Sequence, residues 1–418
     1  MSACVSDVLF FRTVQVRTNW SKDGFNGYRG DYLAIPTALA AVFHPRNVYY
    51  VLLDPGISEA EAATLRRLVV RAVLQSPPRH CPDAACVESC LHVRGGDFSV
   101  TWAGISEPLA TLDTMAQLLA ADDRWDVFIN LTPLDYPLAS QNDIAVLLAH
   151  VRGFSFAGSY EAGPRQAEGM YEKWWHQLNH DPALFHKRSP ADTMDTERQK
   201  LVRLQGGLPW EIKDSPSLRI FHAEAYGIWD RAFCQYAVNS PLSRRAIALL
   251  SHGFGASEEL LPSVLMNSPE QHAHCPSSWR MNTHGMGPHW KMDKTNEEDT
   301  VHRIVSDMAG TGLLFARKFP TPCVASDDNC QSAYDKEPYR AAVRMRLLRD
   351  ETTTRAGAAT SDPPLRQAWR AAAAQKLSRL IPSCRDNTPA LSPSFRGLNG
   401  TSCTAGPCVP SWSVNWLP

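Results

Sequence analysis

Strand-like and helix-like segments alternate through the first 160 residues, and this alternation constrains the fold more than any other feature. Residues 47–54 are a nearly continuous run of apolar β-formers, which is typical of a strand buried on both faces. A helix pattern follows at 58–74, where Ser58 and Glu61 have the spacing of a capping box. The next strand and helix patterns continue the alternation, at 91–93, 109–119, 125–131, 140–151 and 154–157. We therefore predict an α/β fold with a mostly parallel central sheet.

The composition of the 418 residues is that of a folded, water-soluble domain. A formal net charge of −1 gives no general affinity for nucleic acid, so we expect no nucleic-acid partner. The sequence contains no run of 18 or more apolar residues, so we predict no transmembrane helix. Residues 1–19 lack the basic start, apolar middle and cleavage site of a signal peptide. Membrane association would therefore require an anchor that is not seen in this chain.

The 11 cysteines fall into local groups without a Cys-x-x-Cys pair. Their spacings do not suit a zinc module. We therefore favour a protein with disulfides in an oxidising lumen over a reduced cytosolic protein. We expect Cys4, Cys234 or Cys275 to be left free or buried. The groups expected to supply the bridges are Cys81, Cys86 and Cys90; Cys323 and Cys330; and Cys384, Cys403 and Cys408.

Two predicted strands lead into an aspartate. Asp54 directly follows the run Val51-Leu-Leu53, and Asp135 follows the strand at 125–131 after a short polar loop. Ligands of open α/β sheets bind beyond the carboxyl ends of the strands, where a carboxylate can hold a ribose or a base. The alternative is that each aspartate caps a turn or a helix.

Five motifs occur in order over about 275 residues. They are His44-Pro-Arg-Asn47, Val100-Thr-Trp-Ala-Gly104, Phe128-Ile-Asn-Leu-Thr-Pro-Leu-Asp-Tyr-Pro-Leu138, Ser257-Glu-Glu-Leu-Leu-Pro-Ser-Val-Leu-Met-Asn-Ser-Pro269 and Leu314-Phe-Ala-Arg-Lys-Phe319. Together they resemble the motifs of the Core-2/I-branching glycosyltransferases, glycosyltransferase family fourteen. This family includes the β-1,6-N-acetylglucosaminyltransferases and the protein xylosyltransferases.

The resemblance implies a GT-A-like fold, a UDP-sugar donor and inversion at the anomeric carbon. It implies transfer of xylose or N-acetylglucosamine to a hydroxyl of a protein or glycan, in the Golgi or secretory-pathway lumen. We expect the glycosyltransferase domain to span 1–345. The region 346–418 would then hold a linker, an Ala/Arg-rich helix and a Cys/Pro/Ser-rich tail.

The fourth motif carries the candidate catalytic base. An inverting transferase needs one base to take the proton of the acceptor hydroxyl. The resemblance places that role on Glu258. Neighbouring Glu259 is the alternative for a structural carboxylate, since an acidic pair at a helix start often only serves the helix dipole.

The fifth motif carries the candidate site for the leaving diphosphate. The chain has no Asp-x-Asp motif to hold a metal ion. The resemblance instead assigns neutralisation of the diphosphate to Arg317 and Lys318, which can supply a bidentate fork and a point charge. We therefore predict no metal and no cofactor beyond the donor itself.

Three tryptophans are candidates for sugar or donor contacts. Trp102 lies in the second motif and either flanks the donor pocket or packs in the core. Trp174 and Trp175 are candidates for an acceptor platform, and core packing is the equal alternative.

The segment Ala223-Glu-Ala-Tyr226 departs from the family pattern, which has Gly-Ser-x-Trp there. Glu224 replaces a serine and is expected to change contacts with donor or acceptor. Leu52 and Ala103 depart as well, from a histidine and a glycine. These departures favour a rival hypothesis, a non-catalytic carbohydrate-binding homologue.

Overall fold

A computed structural model of the chain describes about half of its residues in detail. The described residues are 29–53, 57–76, 81–95, 100–101, 103–121, 125–132, 135–158, 160–161, 177–181, 184, 202–207, 218–268, 273–282, 298–317, 343, 348 and 364–384.

The helices are numbered here in chain order. They are α1 (Arg29–Val42), α2 (Glu59–Gln75), α3 (Ala84–Glu88), α4 (Ser106–Ala121), α5 (Gln141–His150), α6 (Arg231–Asn239), α7 (Pro241–Leu250), α8 (Ala256–Met266), α9 (Glu298–Gly310) and α10 (Pro364–Leu380), with a 3₁₀ turn at Ile381–Ser383.

The strands are short, and most of them have only two or three residues. They are β1 (Tyr49–Leu53), β2 (Leu91–Gly95), β3 (Val127–Ile129), β4 (Tyr136–Pro137), β5 (Ser155–Phe156), β6 (Tyr160–Glu161), β7 (Gln177–His180), β8 (Val202–Gly207), β9 (Phe221–His222), β10 (Ile228–Asp230), β11 (His274–Cys275), β12 (Arg280–Asn282) and β13 (Phe315–Arg317).

The first strand and helix form as their local sequence predicts. All five residues of β1 are buried, and β1 pairs in parallel with β2. Ser58 caps α2, and Glu61 completes the capping box by accepting from the Ser58 backbone N–H at 2.9 Å. α1 spans Arg29–Val42 and includes Pro36 within the helix.

The α/β class predicted from the sequence is supported, but the described strands form mixed sheets rather than a mostly parallel one. In the sheet of order β11-β5-β10-β3, the strand β10 runs antiparallel to both of its neighbours. In the sheet of order β12-β13-β4, one pair is parallel and the other antiparallel. β10 comes from residues 228–230, far along the chain, so it breaks the alternation on which the parallel prediction rested.

Two apolar cores lie on opposite sides of β1 and β3, which explains their unbroken apolar sequences. Tyr49, Val51 and Leu53 of β1 belong to the first core, together with α1, α2, α5 and α9. Tyr50 and Leu52 belong to the second core, together with α4, α6, α7 and α8. Because side chains alternate along a strand, a strand between two cores must be apolar at every position.

Helix α10 completes the first core, although it belongs to the predicted C-terminal region. Its side chains Trp369, Ala373 and Leu377 are buried there. The Trp369 indole N–H donates to the Leu313 carbonyl at 2.7 Å. The backbone of α10 lies close to the connection between α9 and β13. Glycine is required at position 312 of that connection, where φ is 62°. The proposed linker and the tail beyond residue 384 lie outside the described residues.

Asp143 on α5 forms a further link to α10. Its two carboxylate oxygens contact Arg366 at 2.8 Å and Arg370 at 2.9 Å. Arg366 and Asp143 are both buried, so the pair is shielded from solvent. Paired and hydrogen-bonded in this way, the charges fix the orientation of the helix.

Two disulfides lie within the described residues, and one of them corrects the sequence prediction. Cys81 bonds to Cys86, as expected from their grouping. Cys275, expected to be left over, bonds to Cys384 after the end of α10. The pairing joins positions 109 residues apart, which no local spacing reveals. Cys234 is free and buried as expected, and Cys90 is free as well.

None of the helices in the described ranges is long and apolar enough to cross a bilayer.

Candidate active site

Three of the five sequence motifs contact one short stretch, residues 222–227, which we call the bridging segment. It starts at the end of β9 and leads into β10. At its first residues it contacts helix α8, and at its last residues it contacts the end of β3. Tyr226 within it contacts both the start of α4 and the side chain of Arg317.

Helix α8 presents Glu258 in its first turn. Gly255, at the N-cap with φ 83°, accepts the Glu258 N–H at 2.8 Å and donates its own N–H to the Ala103 carbonyl at 3.0 Å. The loop of the second motif is thereby tied to the helix that carries Glu258. Ala103 itself has φ 60°, in the left-handed region.

The two adjacent glutamates differ sharply in exposure. The Glu258 side chain is 37% exposed, whereas Glu259 is fully buried. Only Glu258 is therefore accessible to a substrate, which supports the assignment of the base to Glu258 and a structural role for Glu259.

His222 holds the Glu258 carboxylate from the protein side. Its Nε2 lies 3.1 Å from Glu258 Oε2, and its side chain is only 8% exposed. The neighbouring Ala223 N–H donates to the Glu258 carbonyl at 2.9 Å. One end of the bridging segment is thus attached to both the backbone and the side chain of the candidate base.

Asp135 lies beneath the site as half of a buried ion pair. Its Oδ1 is 3.4 Å from Arg280 Nε, and both side chains have no exposed surface. Its other oxygen accepts from the Thr132 hydroxyl at 2.8 Å. This is the turn role that sequence reasoning kept as the alternative, and a contact with the nucleoside stays a prediction.

The Arg280 guanidinium contacts residues from three other parts of the chain. It donates to the Asn130 carbonyl, and its Cζ lies 5.5 Å from the Tyr226 ring and 5.8 Å from the Phe315 ring. Burial lowers the pKa of Arg280, while the charges of Asp135 and Glu224 oppose that effect. An arginine starts from so high a pKa that it stays protonated at neutral pH.

Arg317 stacks on the ring of Tyr226, the same ring that Arg280 approaches. Its Cζ is 4.2 Å from the centre of the Tyr226 ring, within cation–π range. Burial disfavours its charge, but Tyr226, Asp135 and Glu224 outweigh that penalty, so its pKa is raised. Arg317, a partly buried residue, therefore holds a fixed positive charge at the end of β13.

Tyr226 is in turn held in place by α4. Its hydroxyl donates to Glu107 Oε1 at 3.2 Å, and Glu107 is buried at the start of that helix. Asn130 holds the neighbouring backbone, since its N–H donates to the Gly227 carbonyl at 3.2 Å and its side-chain amide donates to the Ala225 carbonyl at 3.4 Å. The ring beneath Arg317 therefore has little freedom to move.

The structure brings together only part of the predicted site. Glu224 lies within the bridging segment, and Glu258, Asp135 and Arg317 lie around it. The other predicted residues lie outside the described residues, namely Asp54, Trp102, Trp174, Trp175 and Lys318. Among the described residues, no three His, Cys, Asp or Glu side chains are grouped so that they could hold a metal ion.

Sequence reasoning missed His222, Arg280 and the structural role of Tyr226. Tyr226 stood inside the departing segment, so its position was noticed but its contact with Arg317 was not. Arg280 follows buried Trp279 in a strand without any recognised motif. Its role follows only from the pairing of β12 with β13, which places it beside Phe315.

Comparison with known proteins defines the class to which this fold and site belong, that of the branching glycosyltransferases. The model of the Core-2/I-branching enzyme family matches residues 25–304, so the chain belongs to this family. The resemblance found in the five motifs is thereby confirmed.

Curated relatives carry the names of glycosyltransferases with different donors. Beta-glucuronosyltransferase GlcAT14C of Arabidopsis thaliana is 32% identical over 298 residues, which cover 70% of this chain and 68% of the relative. Beta-glucuronosyltransferase GlcAT14A of the same plant is 24% identical over 306 residues, covering 70% and 60%. The chain thus spans about three fifths of the length of GlcAT14A.

A human relative is more distant. Beta-1,3-galactosyl-O-glycosyl-glycoprotein beta-1,6-N-acetylglucosaminyltransferase 3 of Homo sapiens is 23% identical over 224 residues, which cover 53% of this chain and 42% of that protein.

Proposed function

We propose that the chain is an inverting glycosyltransferase of the GT-A type, which moves a sugar from a UDP-sugar to a hydroxyl of a protein or glycan without a metal ion. The observation that carries the proposal is the accessible Glu258 carboxylate, held by buried His222 at 3.1 Å and joined by the bridging segment to Arg317. A base and a fixed cation at opposite ends of one short segment are the two groups that inverting transfer requires.

In the proposed mechanism, Glu258 takes the proton of the acceptor hydroxyl as its oxygen attacks the anomeric carbon. The bond from that carbon to the diphosphate breaks on the opposite side, which inverts the configuration and releases UDP. Arg317, with Lys318 as the resemblance implies, stabilises the charge that develops on the diphosphate. His222 orients the Glu258 carboxylate for the proton transfer.

Arg280 and Asp135 act by positioning in this proposal. Their ion pair fixes the strand next to β13, and the Arg280 guanidinium contacts the Tyr226 ring on which Arg317 stacks. A preorganised cation stabilises a transition state better than one that must be reoriented during the reaction.

The donor sugars that motif resemblance implies are xylose and N-acetylglucosamine. The names of the plant relatives add glucuronic acid as a third donor to test. The predicted contacts of Trp102 with the donor, and of Trp174 and Trp175 with the acceptor, complete the proposed site. The two described disulfides support an oxidising compartment such as the Golgi or secretory lumen.

The first test is release of UDP from each donor in the presence of EDTA, for the wild type and for Glu258→Gln. Loss of a general base typically slows a reaction by about 10²- to 10⁴-fold, and we expect a loss of kcat in that range. Binding of UDP, measured by calorimetry, should persist in Glu258→Gln and fall in Arg317→Ala.

A separate result would contradict each part of the proposal. Full turnover by Glu258→Gln would remove the base assignment, and binding abolished by EDTA alone would overturn the metal-free mechanism. UDP binding or glycan binding without turnover of any donor would favour the non-catalytic, carbohydrate-binding homologue.

A further inference from the structure

The bridging segment joins the two groups of the proposed reaction, the base Glu258 and the diphosphate-binding Arg317. In an inverting transfer, the anomeric carbon lies in line between the attacking oxygen and the leaving diphosphate. His222 and Ala223 contact the base Glu258, and Tyr226 carries the diphosphate cation Arg317. Residues 224 and 225 lie between these anchors, and the transferred sugar would lie beside them if Glu258 and Arg317 have the proposed roles.

Glu224 is the charged residue within that interval. It is half-buried, and its Oε2 is buried without a hydrogen-bond donor among the described residues. Its charge attracts both Arg280 and Arg317. Arg280 is already paired with Asp135, so Arg317 is the described arginine left to balance Glu224, and a donor diphosphate would draw on that same charge.

A carboxylate in this position discriminates between classes of sugar. It accepts hydrogen bonds from the hydroxyl or amide N–H groups of a neutral sugar. A uronate carries its own carboxylate, which cannot donate such a bond and is repelled across a partly desolvated gap. Discrimination of this kind works through an unfavourable contact with the wrong ligand as well as a favourable one with the right ligand.

We propose that Glu224 is a specificity-determining residue that selects a donor with a neutral sugar and rejects a uronate donor. The proposal rests on the function proposed above, and it assigns a substrate class to the same site. It favours xylose and N-acetylglucosamine over glucuronic acid for this chain.

UDP-glucose and UDP-glucuronate are the matched probes for this proposal, because they differ only in a hydroxymethyl or a carboxylate group at one carbon. Their dissociation constants would be measured by calorimetry with the full chain, for the wild type and for Glu224→Gln. The glutamine keeps the size and an acceptor oxygen but removes the charge. Glu88→Gln, at an exposed position on α3, is the control for a change in net charge.

The wild type should bind UDP-glucose at least tenfold more tightly than UDP-glucuronate. Glu224→Gln should reduce that preference at least tenfold, and Glu88→Gln should leave it unchanged. Equal or tighter binding of UDP-glucuronate by the wild type, or an unchanged preference in Glu224→Gln, would overturn the proposal.

The outcome with UDP alone separates this inference from the proposed function. If the wild type binds UDP but shows no preference between the two donors, only the role of Glu224 fails. If the wild type does not bind UDP, the proposed function fails and this inference fails with it.

Discussion

Substitution of Gly312 by alanine tests the packing that holds β13, and with it Arg317. Gly312 lies between α9 and β13 with φ 62°, a conformation that is strained for a residue with a Cβ. A Cβ built there would lie 2.3 Å from the Ala373 nitrogen and 2.5 Å from the Ala372 carbonyl carbon. Both atoms are backbone of α10, so no side chain can rotate away to make room.

The expected loss of stability follows from three contributions. The left-handed conformation costs about 1–2 kcal/mol for alanine. Overpacking against a helix backbone costs about 1–3 kcal/mol. Reduced freedom of the unfolded chain returns about 0.4–1 kcal/mol. The free energy of unfolding should therefore fall by about 1–5 kcal/mol.

The assay is equilibrium unfolding in urea, compared with Gly310→Ala as the matched control. A Cβ at Gly310 meets no atom within 4 Å, and this glycine ends α9 without a positive φ. Gly310→Ala should therefore leave stability unchanged or raise it by up to about 1 kcal/mol. Equal stability of Gly312→Ala and Gly310→Ala would refute the close approach of α10 to this connection.

Three further substitutions test other parts of the structure by the same unfolding measurement. Asp135→Asn leaves the buried Arg280 without its ionic partner and should lower the free energy of unfolding by about 3–5 kcal/mol. The double variant with Arg280→Met should recover part of that loss, and additive losses would argue against the ion pair. Cys275→Ser with Cys384→Ser removes a cross-link over 109 residues and should cost about 2–4 kcal/mol, a loss that a reductant should reproduce in the wild type. Ala103→Gly relieves the left-handed strain at φ 60° and should raise stability by up to about 1 kcal/mol, whereas a clear loss would count against that conformation.

Patterns among neighbouring residues account for the parts of the fold that the sequence predicted correctly. The capping box at Ser58 and Glu61 needs only neighbouring residues, and it forms as expected. The unbroken apolar run of β1 reports burial on both faces, which the two cores bear out. The burial of Glu259 beside exposed Glu258 depends instead on how α8 is rotated against its neighbours, and adjacent acidic residues give no sign of that rotation.

Long-range pairing accounts for what the sequence did not predict. The strand β10 comes from a segment about 100 residues after β3, yet it pairs antiparallel between β3 and β5. The bond between Cys275 and Cys384 and the contact of Arg280 with Asp135 depend on the same kind of distant meeting. Turn signals and periodicity describe neighbours in sequence, so these features required the tertiary structure.

The position of α10 has a consequence for how fragments of this protein would behave. The stretch that the family model recognises ends at residue 304, in the middle of α9. Arg317 and the core residues Trp369, Ala373 and Leu377 all lie beyond it. The stretch that the family model matches is thus shorter than the stretch that builds the first core. A fragment cut at 304 would expose the apolar faces that α10 covers, and we expect it to aggregate, whereas one extending through Cys384 would retain a closed core.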